Sequence, residues 1–82
     1  SFSLIRQMAD TGNPNSVSDA GVAALCARAA VRGAFLNVKI NAPGLDDKDF
    51  TRQVLSDGAR MVAEADEAEK TILAIVEEKI GA

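Results

Sequence analysis

The chain has 82 residues, 48% of them apolar, a net charge of −3, and three phenylalanines as its only aromatic residues. A chain of this length supports one small domain with limited burial, and so large an apolar share excludes disorder. The acidic balance excludes a nucleic-acid binder, and the lack of histidine excludes a conventional zinc centre and a Ser-His-Asp triad.

The single cysteine, Cys26, excludes an internal disulfide and suits a reducing, cytoplasmic setting. No unbroken apolar run reaches the roughly 20 residues of a membrane span, and there is no signal peptide, so no membrane role is expected. Charge is unevenly placed. Residues 1–45 carry Arg6, Arg28, Arg32 and Lys39 against Asp10 and Asp19, whereas the acids concentrate in the remainder. There is no glycine-rich phosphate loop and no metal-ligand cluster, so no metal is expected.

In chain order, Ser1–Asp10 places Phe2, Ile5 and Met8 three residues apart, as at the end of a helix whose start precedes the sequence. That opening suggests a truncated or processed product. Thr11-Gly12-Asn13-Pro14-Asn15-Ser16 is then a cluster of turn formers. Ser16 followed by Asp19 has the form of a capping box, with Ser18 a rival cap, and predicts a second helix to about Asn41, stopped by Pro43-Gly44.

At 100° per residue, Val22, Leu25, Cys26, Ala29, Gly33, Leu36 and Ile40 form one apolar stripe, and alanines, Val31 and Phe35 occupy much of the rest. Only Arg28, Arg32 and Lys39 interrupt this surface. A helix apolar nearly all round belongs inside a bundle, and two other helices cannot cover it. Gly33 is expected on the packed side and Cys26 as inert filling.

The third helix starts at Asp46 as cap, with Asp47 and Asp49 near the positive end of the dipole and Leu45 stapled on Phe50, and runs to about Lys79. Phe50, Val54, Met61, Val62, Ala65, Ile72, Leu73, Val76 and Ile80 form its apolar face. Arg60–Glu64 and Asp66–Lys70 stand at i,i+4 spacing opposite. Gly58 lies on the buried face, where it permits close backbone approach. The fold class is therefore all-α: a partial long-helix bundle of about three helices.

Three constellations can carry chemistry. The polar junction around Asn13, Ser16, Ser18 and Asp19 offers small donors and acceptors at a helix N-terminus, although a turn plus a cap accounts for the same residues. Asp19 adjoins the most apolar helix and is placed to exchange a proton. Asn37 and Asn41, one turn apart, either bond a neighbouring helix or meet a ligand. Arg28, Arg32 and Lys39 form a solvated edge, face the acidic third helix, or receive a polyanionic ligand tail.

The run Gly12-Asn13-Pro14-Asn15-Ser16-Val17-Ser18-Asp19-Ala20-Gly21-Val22-Ala23-Ala24-Leu25, followed by Gly33-Ala34-Phe35-Leu36-Asn37-Val38-Lys39-Ile40-Asn41, resembles the cyclodeaminase domain of formiminotransferase-cyclodeaminases and the related methenyltetrahydrofolate cyclohydrolases. The resemblance implies that residues 1–82 are the C-terminal part of a single all-helical domain, dimeric or higher, that binds tetrahydrofolate derivatives as carriers of a one-carbon unit. It implies either cyclisation of a formimino group to the 5,10-methenyl form with loss of ammonia, or opening of the methenyl bridge by water. Carried onto this sequence, Asp19 becomes the acid/base or pterin acceptor. Asn13, Ser16, Ser18, Asn37 and Asn41 become donors, and Arg28, Arg32 and Lys39 the seat of a polyglutamate tail. A non-catalytic helical module for oligomerisation or docking is the competing expectation.

Overall fold

The computed structural model describes residues 1–81, the Pro14 side chain apart. Three helices follow one another: α1 over Phe2–Thr11, α2 over Pro14–Asn41 and α3 over Lys48–Ile80, with a 3₁₀ turn at Ala42–Gly44. Among the described residues there is no strand. The all-α expectation holds, and the long dimension of 51 Å is that of α3.

The ends of the helices have local causes. Gly12 leaves helical geometry for φ −76°, ψ 159°, which stops α1 while its N–H still bonds the Met8 carbonyl. A Cβ at Gly12 would press into that carbonyl and into Ser16, so the tight corner requires glycine. Asn13 is extended, and its Oδ1 accepts the Ser16 N–H at 3.0 Å. The helix thus begins at Pro14, two residues ahead of the expected Ser16 cap. Proline at the first helical position has no N–H to leave unsatisfied and a φ already set for a helix, so the helix starts directly after Asn13. Ser16, Ser18 and Asp19 are inside the helix, not caps.

At α3 the cap shifts by one residue in the other direction. Asp47, not Asp46, accepts the Phe50 N–H at 3.0 Å, with Asp49 in the first turn. Gly81, at φ +76°, closes the far end by bonding the Glu77 and Glu78 carbonyls.

The core sits at the α1 end of the molecule. Ile5 and Ala9 of α1, Val17, Ala20 and Ala24 of α2, and Ile72 and Val76 of α3 are buried together, with Phe2, Ala23, Ala27 and Ile75 against them. The Lys79 ammonium ties this end shut by bonding the Asp10 carbonyl. Away from α1 the molecule is a two-helix hairpin. There the Phe35 ring lies against the backbone of Gly58, as expected of a packing glycine.

Which side of α2 faces inward corrects the sequence expectation. The stripe of large aliphatic residues faces outward: Leu36 is 64% exposed and Ile40 79%. The inner face is built from the smaller Val17, Ala20, Gly21 and Ala24, and a Cβ on Gly21 would already touch Val76. Gly33 meets nothing within 4 Å, and Cys26 is exposed, so neither packs inside this chain. The expected shortage of covering helices is visible as this open face. Residues Asn15–Gly44 are also long and apolar enough to cross a membrane by length and composition, contrary to the reading of unbroken runs, because alanine and valine raise the average despite scattered charges. The core helix of a soluble protein passes the same test.

Candidate functional site

At the start of α2, the side chains assembled by the junction are Asn13, Ser16, Ser18 and Asp19. Asn13 is spent on the cap, and the Ser16 amide is held by it. Ser16 is half-buried, whereas Ser18 and Asp19 are exposed. Because Asn13 caps the helix, Asp19 is not needed to complete a cap. Among the described residues, its carboxylate has no hydrogen-bond or ion-pair partner within the molecule. It stands beside Val22 on the flank of the open apolar face.

At the other end, Asn41 donates from Nδ2 to the Asn37 carbonyl at 2.8 Å, a local bond that helps finish the helix. Both asparagines are exposed. They border a shallow depression of about 320 Å³ between α2 and the start of α3, lined further by Val38, Ala42, Leu45, Phe50 and Val54. Asp19 and Asn37 are 18 residues apart on one straight helix, which places them about 27 Å from each other. Within one chain the two halves of the expected site are not brought together.

The basic strip meets the acids of α3. Arg32 grips Asp66 with two bonds, Nη2 to Oδ2 at 2.8 Å and Nε to Oδ1 at 3.3 Å, and Arg28 Nε reaches the same carboxylate at 3.0 Å. The expected Asp66–Lys70 pair is therefore replaced, since the planar guanidinium fork of Arg32 fits a carboxylate better than an ammonium does. The bond from Arg32, then that from Arg28, holds the Asp66 carboxyl below its usual range, and the Asp66 bond raises Arg32. Glu69 stands 3.6 Å from Arg28 Nε, with its buried Oε2 lacking a hydrogen bond.

Lys39 is set apart from the other two. Its ammonium lies 4.7 Å from the centroid of the Phe35 ring, a cation–π distance, and it has no carboxylate partner among the described residues. With Lys48 it flanks a depression of about 500 Å³ floored by Phe35, Ala42, Pro43 and Leu55. Lys48 and Glu69 went unnoticed in the sequence, and Asp66 was read as the partner of Lys70. The available signal was the match between Arg28 and Arg32, one turn apart on α2, and Asp66 and Glu69, three residues apart on α3.

Comparison with known proteins places these residues in context. The family described as formiminotransferase-cyclodeaminase matches residues 1–60. A methenyltetrahydrofolate cyclohydrolase of Methylorubrum extorquens is 44% identical over 77 residues, covering 94% of this chain and 37% of that protein. A formimidoyltransferase-cyclodeaminase of Gallus gallus is 32% identical over 78 residues, 95% of this chain and 14% of that protein. The chain thus spans little more than a third of the length of the first relative and a seventh of the second. No solved structure matches.

Proposed function

The chain belongs to the formiminotransferase-cyclodeaminase family, and from that premise we propose that it contributes part of a folate site that opens the 5,10-methenyl bridge of tetrahydrofolate with water. The cyclohydrolase name of the relative at 44% identity supports hydrolysis over deamination. In that reaction water adds to the cationic bridge carbon, giving a tetrahedral intermediate. One proton leaves the added water for Asp19, and as one carbon–nitrogen bond breaks the second proton moves from the hydroxyl to the departing nitrogen, leaving a formyl group on the other nitrogen. Carboxamides such as Asn37 and Asn41, which lie about 27 Å from Asp19 within one chain, donate from a second copy to the oxygen that gains charge or to the pterin edge.

The observation that carries this reading is the Asn13 cap. It removes the structural explanation for Asp19 and leaves a carboxylate exposed beside an uncovered apolar face. Asp19→Asn in the full-length protein is the test: turnover falls by about 10²-fold or more while the melting temperature is unchanged. Full turnover by this variant would remove Asp19 from the site.

One observation favours the competing reading, a helical module without catalysis: the 27 Å or so between Asp19 and Asn37 in a single chain. It is distinguished by the wild-type protein, which would then bind no tetrahydrofolate in equilibrium dialysis.

A further inference from the structure

The cationic side chains divide into two kinds. Arg6, Arg28, Arg32, Arg52 and Arg60 each reach a carboxylate within the chain. Among the described residues, Lys39 and Lys48 do not. The first lies over the Phe35 ring, and the second donates to the Leu45 carbonyl at 2.9 Å. These two ammoniums flank one depression of about 500 Å³ where α2 turns into α3. Its floor is made by the Phe35 ring, Ala42, Pro43 and Leu55, and no acidic side chain lines it. Thr51 at its edge is engaged, its hydroxyl donating to the Asp47 carbonyl. The carboxylates of Asp47 and Asp49 are engaged as well, by the Phe50 N–H and by Arg52. An ammonium that meets only a carbonyl or a ring keeps its charge and has donors to spare. The depression thus combines an apolar floor with two cations and no counter-charge.

This place is distinct from the side chains assigned above to proton transfer and to the carboxamide contacts. At 100° per residue, Lys39 stands about 160° round α2 from both Asn37 and Asp19, on the far side of the helix. Its volume, and its apolar walls with a few convergent polar groups, are those of a small-molecule site. A second depression of about 230 Å³ adjoins it at Phe35 and Lys39 and extends the apolar floor through Leu36 and Val62. A shallow floor of rings and aliphatic groups is covered best by a flat body, and two ammoniums are met best by a carboxylate, which accepts from both. We propose that this depression binds an aromatic acid, its carboxylate between Lys39 and Lys48 and its flat body over Phe35 and Pro43. The same chemistry reaches the site as a free acid or as the acidic end of a larger ligand, such as the folate proposed above. The site itself rests on the α2–α3 turn alone.

Titration calorimetry of the full-length protein with naphthoate, and with its uncharged counterpart naphthamide, is the test. Naphthoate is expected to bind with one equivalent per chain, and naphthamide about 10-fold more weakly. Lys39→Met and Lys48→Met keep the apolar stems, and each weakens naphthoate by about 3- to 5-fold while leaving naphthamide as it was. Lys70→Met, at an exposed lysine outside the depression, and Val22→Ser, on the open face of α2, change neither. Failure of naphthoate to bind, or equal binding of acid and amide, would overturn the proposal. So would a loss at Val22→Ser as large as that at Lys39→Met, since the ring then sits on the open face. Displacement of naphthoate by a polyglutamylated folate assigns the site to the acidic end of that ligand, and retention assigns it to a free acid. Full turnover by Asp19→Asn would leave these titrations unchanged, so the two ideas fail separately.

Discussion

The ring of Phe35 lies against the backbone of Gly58, so close that a Cβ at residue 58 would overlap two of its carbon atoms. This contact sets the spacing of α2 and α3 beyond the reach of α1. Gly58→Ala therefore lowers stability by about 1–3 kcal/mol in thermal unfolding, although alanine is the better helix former. Gly33→Leu behaves oppositely. It leaves thermal unfolding nearly unchanged, because the space around it is open. Equal losses of stability at both glycines would show that Gly33 packs within the chain.

Asp66 makes the hairpin sensitive to acid. Its carboxyl is held below the ordinary range by Arg32 and Arg28, so the ionised form is favoured by folding. That contribution is fully present above the unfolded pKa of about 4 and is lost as pH falls through the lower folded value. The paired Arg32 is raised from an already high value and adds no dependence below about pH 12. Wild type accordingly melts above Asp66→Asn at neutral pH, and the two melting temperatures converge on acidification. A constant gap down to about pH 2 would show that the pair contributes nothing through ionisation.

Asn13 separates fold from chemistry. Its side chain holds the Ser16 amide, so Asn13→Ala costs about 1 kcal/mol, read as a lower denaturant midpoint with unchanged slope. Ser16→Ala and Ser18→Ala should each stay within about 0.5 kcal/mol of wild type, since neither caps the helix. A larger loss at Ser16 than at Asn13 would return the cap to Ser16.

Lys39 is the better candidate of the basic strip for a ligand's acidic tail, because Arg28 and Arg32 are already occupied by α3 carboxylates. Lys39→Ala in the full-length protein should weaken polyglutamylated folates more than the monoglutamate, by about 3- to 10-fold per lost contact. Arg32→Ala should affect both alike, through stability. The reverse ranking would place the tail on Arg32.

Much of the architecture was legible in the sequence. The spacing of Phe2 and Ile5, the Pro43-Gly44 stop and the apolar face of α3 marked three helices, and the match to the family fell on the residues that carried the resemblance. Two things were hidden. Proline at position 14 moved the cap from Ser16 to Asn13, an effect of one missing N–H that turn propensity does not register. The facing of α2 was also unreadable, because hydrophobicity identifies apolar positions without saying which partner each face meets. Close contact with α1 and α3 requires small side chains, so Ala20, Gly21 and Ala24 turned inward while Leu36 and Ile40 were left outside. The separation of Asp19 from Asn37 followed from helix length alone and needed only arithmetic.

The alanine-lined face of α2 carries one further implication. Ala20, Ala24 and Ala27 repeat at intervals of a helical turn, so sliding α2 along α3 by one turn would set one alanine where another had been, at little loss of contact. Such a face is slippery and by itself leaves the alignment of two long helices undecided. Two features off that face break the degeneracy: the notch at Gly58 that admits only the Phe35 ring, and the single carboxylate of Asp66 that two guanidiniums reach together. A one-turn slide of about 5.4 Å would drive the ring into side-chain-bearing backbone and break every bond to Asp66. Polar and aromatic groups at the margin thus choose one alignment among several that the hydrophobic contacts would accept.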